Sequence, residues 1–485
     1  MILRRQEILH WPRLAWCANV GGSSVDVSHG SRVEHSEDWL FEGAWAGDFA
    51  SGDFDQPHAD VVIGTGLRVR GDTVSFVCST SPVDRLYFVT RLDHLVVSNS
   101  LACLLAVTGL RLDPQFPYSK ALCRFLKRHR QHPKTVPTLE GIEINVLSYD
   151  ILTFARNEVA VSFRPAEPAF ASFEDYERLL DSAIEAIRAN ISSDDRSHEI
   201  VTRATMSRGY DSPAATVIAK ALSIRSVLTI SRIGTFSQYD DSGKNIAKML
   251  GISAQCVVSR PSRYRDHDLI WAGLGRPDDL NMTLFAYPDD LMLLITGIHG
   301  GNVWDRHLRQ GRTHAQHFLD READGCGMNE WRLHKGVFIA SIPCIGASRL
   351  DCMKRVNESL EMRPWRVGGR YDRPVPRRIV EQQGVGRDEF GQTKRATIAK
   401  FPRYYPHDRG LQADLEEFLL RHGRRLPRRL GVFTEAVHVA RAKVSRAARK
   451  GKWPRIARVA QLPDLDDLVF VWANQRLANE VYSPD

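Results

Sequence analysis

No apolar run in this sequence is long enough to cross a bilayer. The opening residues, Met1-Ile2-Leu3-Arg4-Arg5-Gln6-Glu7, contain no long apolar core followed by a small-residue cleavage site. Neither a membrane partner nor a secretory signal is therefore expected, and the chain reads as cytoplasmic. The eight cysteines are scattered and none forms a C-x-x-C pair. That spacing excludes a disulfide framework and a zinc module, leaving reduced, buried thiols. His307, His314 and His317 do not have the H-E-x-x-H spacing either, so zinc is not expected. Internal repeats and long low-complexity tracts are missing. Acid is scarce in one place: between Arg421 and Arg458, Glu435 is the only acidic residue. Such a segment suits an anionic partner. A solvated helical face is the preferred reading, because aromatic residues do not alternate with the charges as a single-strand binder requires. Nucleic acid is thus disfavoured as a partner.

The composition is globular. The 485 residues are 43% hydrophobic and 26% charged, enough for two or three domains with sizeable cores. The first ~165 residues read as strand-rich. Alternation runs through Asp60–Cys78 around a Gly71-Asp72 turn, and two more strands, Arg85–Thr90 and His94–Ser98, flank a turn before a short helix from Leu101 to Val107. Pro165-Ala166-Glu167-Pro168 is a linker candidate. Ser172 and Asp175 then open a helix with a capping box. Beyond it strands and helices alternate, with strands ending at Met206, Ile230, Val258 and Ile295. Alternation of this kind predicts a parallel sheet with helices on both faces and a ligand at the strands' carboxyl ends. From about Lys354 the chain reads as helical and basic.

The most informative stretch is Ser207-Arg208-Gly209-Tyr210-Asp211-Ser212. It lies between a predicted buried strand and a predicted helix with Pro213 in its first turn. Backbone N–H groups and a helix dipole meet there, which is the composition of an anion site. The hydroxyls of Ser207 and Ser212 add donors, while Asp211 suits a phosphate site only by orienting the loop or reaching a Mg²⁺.

These residues resemble the S-G-G-x-D-S pyrophosphate loop of the ATP-pyrophosphatase superfamily, to which asparagine synthetases belong. Further segments follow in the order of that family. Phe41–Ala50, Ser81–Phe88 and Val97–Leu105 resemble stretches of its glutaminase domain. Tyr239–Gly251, Thr296–Asn302 and Ser359–Trp365 resemble stretches of its synthetase domain. The resemblance implies an α/β chain of two parts. Residues 1–165 would form a glutaminase-like α+β sandwich of the Ntn-hydrolase type. Residues 166–485 would form a parallel-sheet ATP-pyrophosphatase domain ending in a basic helical region.

Departures from the family pattern shape the expected function. The glutaminase nucleophile is an N-terminal cysteine, and here that position is Ile2. Cys17 lies in an apolar segment and reads as core. The resemblance therefore implies an amide synthetase without glutaminase activity, similar to β-lactam and carbapenam synthetases. It would adenylate a small-molecule carboxylate with ATP and Mg²⁺, and an amine or ammonia would displace AMP. Arg208 replaces the first Gly of the family loop, and either grips phosphate or obstructs ATP. By the resemblance, Ser207, Arg208, Gly209, Asp211, Ser212, Thr296, Gly297 and Gly300 would hold the nucleotide. Asp211 and Asp305 would meet the metal, and Glu361 and Lys394 would be catalytic. Glu361 stands at the family's base position, but no tyrosine lies between Tyr287 and Tyr371 to pair with it. An ion pair with a neighbouring arginine is its other reading, and a solvated surface lysine is that of Lys394. A homodimer fits this picture. Two alternatives stand beside it: a degenerate relative that binds a nucleotide or a partner without catalysis, and a pyrophosphate-loop enzyme acting on RNA.

Overall fold

The computed structural model of the chain describes residues 1–56, 59–91, 94–127, 134–231, 240–258, 267–274, 280–307, 325–393, 406, 408–426 and 465–483. Tyr239, His314, His317, Lys394 and the basic segment beyond Leu426 lie outside these residues. The chain is a mixed α/β protein, and its described residues form three sheets. Among the described residues, no helix is long and apolar enough to cross a membrane.

The first two sheets use residues before Arg164. One comprises β1 (Ile2–Glu7), β2 (Trp16–Gly21), β3 (Ser24–His29), β8 (Leu86–Arg91), β9 (His94–Ser98), β10 (Thr135–Pro137) and β11 (Glu143–Leu147). Its order is β1-β3-β2-β9-β8-β11-β10. The other comprises β4 (Glu34–His35), β5 (Trp39–Trp45), β6 (Val62–Arg70), β7 (Thr73–Val77), β12 (Ile151–Ala155) and β13 (Glu158–Ser162), in the order β13-β12-β7-β6-β5-β4. The Gly71-Asp72 turn joins β6 to β7, with Arg70 opposite Thr73 and Gly71 at φ 60°. Such a positive φ is what a tight hairpin demands of its first turn residue.

Side chains alternate along a strand, so each sheet turns one apolar row toward the other. Trp16, Val27 and Val97 from one sheet pack with Leu67, Phe76 and Phe154 from the other. The outer face of the first sheet is covered by α1 (Leu101–Thr108), and α2 (Tyr118–Lys127) reaches its β10 edge, where the Tyr118 hydroxyl donates to the Pro137 carbonyl (3.3 Å). Ser100 caps α1 by accepting the Cys103 N–H.

The join between the two halves is clamped. The Glu167 carboxylate accepts the backbone N–H groups of Gly346 (2.6 Å) and Ser348 (3.0 Å). Arg164 donates to the carbonyls of Tyr149 (2.8 Å) and Cys78 (3.1 Å). The helix α3 (Phe173–Ile191) follows, and the capping box of Ser172 and Asp175 is present as the sequence predicts.

The third sheet has five parallel strands: β14 (Ile200–Thr205), β15 (Ser226–Ser231), β16 (Ala254–Val258), β17 (Leu291–Thr296) and β18 (Val337–Ser341). Their order is β16-β15-β14-β17-β18. Every residue of β17 and β18 is buried, as expected of strands covered on both faces. The first four match the sequence reading. β18 escapes it because a short, uniformly apolar run has no periodicity to separate strand from buried helix. Between and around these strands lie α4 (Asp211–Ile218), α5 (Lys244–Met249), α6 (His267–Leu274), α7 (Gly300–Val303) and α8 (Asn329–Lys335). α9 (Leu350–Glu358), α10 (Pro374–Glu381), α11 (Arg409–Arg421) and α12 (Leu465–Glu480) complete the described helices.

The last helix returns to the first half of the chain. Asp467 of α12 accepts the Ser119 N–H at the start of α2 (2.8 Å). Just beyond α12, the Tyr482 hydroxyl donates to Glu330 of α8 (3.1 Å), which also accepts from Ser100 (2.9 Å). Glu330 is buried, and that desolvation raises its pKa to about 7 against the two hydroxyl donors and Arg332.

The native Glu330 carboxyl keeps its proton to about pH 7, whereas the unfolded one loses it near 4.5. The native state therefore binds more protons in that window, and stability falls as pH rises through it. Urea unfolding from about pH 4 to pH 8 is expected to show wild type losing about 3 kcal/mol more than Glu330→Gln. Parallel curves for the two proteins would contradict the assignment.

Candidate functional site

The strand order places β15 and β16 on one side of β14, and β17 and β18 on the other. The chain reverses its direction of travel between β14 and β17, and a crevice opens at such a point beyond the strands' carboxyl ends. The two glycine-bearing turns singled out in the sequence leave the sheet there.

The first turn leads from β14 into α4. Its serines are joined: Ser212 Oγ accepts the Ser207 N–H (2.9 Å) and lies 2.9 Å from Ser207 Oγ. Ser207 Oγ also accepts the Gly209 N–H (3.2 Å). The loop is thus preorganised around two hydroxyls at the start of an eight-residue helix. A Cβ on Gly209 would meet Ser207 Oγ at 3.4 Å and the Tyr371 hydroxyl at 3.6 Å, ordinary contacts, so this side of the loop has space.

Arg208 is exposed and sewn to later chain. Its N–H donates to the Asp241 carbonyl (3.2 Å), its carbonyl accepts the Gly391 N–H (2.9 Å), and its Nε donates to the Glu389 carbonyl (3.2 Å). The guanidinium is thereby drawn to the seam with residues 389–391.

The second turn, Thr296–Gly301, packs directly on the first. A Cβ on Gly297 would fall 2.4 Å from the Asp211 carbonyl carbon, and one on Gly300 would fall 2.5 Å from Asp211 Cγ. Both positions require glycine because another backbone and a carboxylate occupy the space. Thr296 is a support: its hydroxyl donates to the Ala340 carbonyl (3.1 Å). Ser341, at the end of β18, donates to the Ile298 carbonyl (2.7 Å) and lies 3.4 Å from His299 Nδ1. His299 itself has φ 69° and precedes α7.

The third wall is the segment from Ser359 to Gly391. Arg373, only 4% exposed, forms an ion pair with both oxygens of Asp211. Its guanidinium also lies over the Tyr371 ring, 5.0 Å from the centroid. Burial opposes the Arg373 charge, but Asp211, then Tyr371 and Asp305, hold its pKa above the ordinary value. Burial pushes the Tyr371 phenol up to about 12, with Arg373 opposing. Tyr210 is fully buried beside it and its hydroxyl accepts from Arg377 (2.5 Å). Burial also raises the Tyr210 pKa, against Arg377. Both phenols are therefore neutral at neutral pH. Gly391 has φ +66°, and a Cβ there would fall 2.4 Å from the Tyr210 ring.

The geometry brings Ser207, Arg208, Gly209, Asp211, Ser212, Gly297 and Gly300 together. It does not prepare Asp211 for Mg²⁺: its carboxylate is already held by Arg373. Asp305 Oδ1 accepts the His307 N–H (2.9 Å). Among the described residues, no group of three or more His, Cys, Asp and Glu could hold a metal ion. These side chains do not fit a magnesium site at Asp211. Glu361 is exposed, accepting the Phe173 N–H at the head of α3 (2.9 Å) and pairing with Arg378 (3.3 Å). Those are structural partners, and the arginine reading of Glu361 is the one the geometry favours. Trp304, at the end of α7, donates its indole N–H to Tyr176 (3.0 Å) and so leaves Glu361 no partner there. Arg373 and Tyr371 were not assigned from sequence. Their only signal was position, immediately before the Pro374 that opens α10.

The close approach of the two turns gives a direct check. Gly297→Ala is expected to cost about 1–3 kcal/mol in urea unfolding, because backbone must move to admit the methyl group. Gly386→Ala, whose Cβ would meet nothing nearer than Glu389 Cγ at 3.9 Å, is expected to stay within about 0.5 kcal/mol of wild type. Equal effects would contradict the packing of the turns. No protein-family model matches the chain and no curated protein matches it, so the reading of this crevice rests on its own geometry.

Proposed function

We propose that the chain is an ATP-dependent, AMP- and pyrophosphate-forming amide synthetase resembling asparagine synthetases, with no glutaminase of its own. The observation that carries this reading is the meeting of the Ser207 and Thr296 turns over the β14–β17 switch point. A strand, a serine-lined turn and a helix N-terminus at that place form the arrangement that takes a phosphate chain. The two-sheet sandwich followed by a five-stranded parallel sheet is compatible with a glutaminase-like part preceding an ATP-pyrophosphatase part.

In this reading the backbone N–H groups at the start of α4 and the two serine hydroxyls hold the phosphates, while the N–H groups of Ser207, Arg208 and Gly209 keep the loop in shape. The substrate carboxylate attacks the α-phosphorus and pyrophosphate leaves. An amine or ammonia then attacks the acyl carbon of the mixed anhydride, and AMP leaves. Donors fixed before the reaction stabilise the charge that develops on the leaving group without reorganising. Arg208, at the rim, adds positive charge toward that group. The Tyr371 phenol, neutral and close to Gly209, is one more donor.

Among the described residues of the first half, none supports ammonia release by the family's route. Ile2 is exposed on the edge strand β1. Cys17, Cys78 and Cys103 are buried, and desolvation keeps the thiols of Cys78 and Cys103 protonated. A thiol so held is a poor nucleophile, and the amine is accordingly drawn from solution or from the substrate.

A second reading, a nucleotide-binding relative without catalysis, is favoured by the structural engagement of Glu361. ATP–pyrophosphate exchange across a panel of carboxylic acids separates the two. The proposal expects carboxylate-dependent exchange that falls about 10²-fold or more in the Ser207→Ala/Ser212→Ala variant. ATP binding with no exchange for any carboxylate would replace it by the second reading.

A further inference from the structure

We propose that the guanidinium of Arg373 takes the place of a divalent cation at Asp211, so that the Ser207 turn accepts pyrophosphate or nucleotide phosphates without a metal on that carboxylate. The inference rests on the phosphate site proposed above. It starts from a conflict of charge. Asp211 begins α4, and an acid at that position repels any phosphate at the same helix terminus unless a cation neutralises it.

The neutralising cation is already part of the chain. Arg373 engages both Asp211 oxygens, and only 4% of its side chain is exposed. One terminal nitrogen of the guanidinium reaches both carboxylate oxygens, and a guanidinium does not lose its charge in a protein. The surroundings are shaped for this pair. Gly300 leaves room for the Asp211 carboxylate, where a Cβ would fall 2.5 Å from Cγ. Gly301 leaves room for the guanidinium, where a Cβ would fall 2.8 Å from an Arg373 terminal nitrogen. The Tyr371 ring lies against one face. Adjacent glycines of one turn thus accommodate the two halves of one ion pair.

A magnesium ion competes poorly for this carboxylate. It demands near-octahedral oxygen ligation and gives up water reluctantly. No group of three acidic, His or Cys side chains among the described residues would receive it. Displacing Arg373 would also leave a guanidinium buried without its carboxylate, a state that strongly destabilises folded proteins. The pair is therefore a permanent neutraliser, and the serine hydroxyls and the N–H groups at the start of α4 meet the phosphate directly.

The test is calorimetric titration of the full chain with inorganic pyrophosphate, once in EDTA and once in excess Mg²⁺. Dissociation constants within about threefold of each other are expected. In Arg373→Gln, binding in EDTA is expected to weaken about tenfold or more and to recover with Mg²⁺, because the Asp211 charge is then uncompensated. In Asp211→Asn/Arg373→Gln, which buries no lone charge, metal-free binding is expected to return. Wild-type binding that appears only with Mg²⁺ would overturn the inference and leave the phosphate site standing. No binding in either buffer would overturn both. Unchanged binding by a folded Arg373→Gln in EDTA would remove Arg373 from the account. The wild-type comparison decides the question even where a variant fails to fold.

Discussion

The two halves of the molecule are held together by a charge that has no access to water. Arg332 of α8 is fully buried and pairs with Glu42 of β5 (2.8 Å) and with Asp84 (2.6 Å). Glu42 also accepts from Thr65 (2.8 Å), whose hydroxyl receives the Trp16 indole N–H (3.1 Å). Burial pushes the Glu42 carboxyl up, and Arg332 pulls it back. Such a cluster adds little net stability over an apolar equivalent. Removing one member, however, leaves buried charge uncompensated, at about 3–5 kcal/mol. Its value is in fixing a docking geometry, since this placement of α8 satisfies both carboxylates at once.

That constraint reaches the crevice through consecutive chain. α8 ends at Lys335 and β18 begins at Val337. Pinning α8 therefore pins β18 against β17. Ser341, the last residue of β18, donates to Ile298 and so sets the path of the Thr296 turn. Gly297 and Gly300 of that turn lie against Asp211, and Asp211 holds Arg373. The sandwich thus has a mechanical use: it is the platform on which the β14–β17 crevice is registered. The clamp at Glu167 serves the same end, because its carboxylate grips Gly346 and Ser348 just after β18.

Much of this was legible in the residues. The alternation through Asp60–Cys78, the strands ending at Met206 and Ile295 and the capping box at Ser172 all carry local signals of period or turn chemistry. The Ser207 turn was legible because strand, small polar residues and first-turn proline coincide within a dozen positions. β18 was not, being uniformly apolar and short. The Asp211–Arg373 pair was not legible either. Its members are 162 positions apart, and nothing local distinguishes Arg373 from the many other arginines of the chain. The same holds for Arg332, whose partners lie 290 positions away at Glu42. Long-range ion pairs follow from topology, which periodicity does not encode. Glu361 is a different case: its motif position suggests chemistry, and its surroundings give it a helix terminus and Arg378 to hold, partners no local pattern announces.

The β14–β17 switch point is the place where a nucleotide is proposed to bind. A crystal structure of the protein grown with ATP tests that directly. The expected result is triphosphate density against the Ser207 and Ser212 hydroxyls, with Asp211 still paired to Arg373. Nucleotide density elsewhere, for instance in the open groove of about 1110 Å³ that includes Trp11, Phe285 and Tyr287, with the Ser207 turn empty, would contradict it.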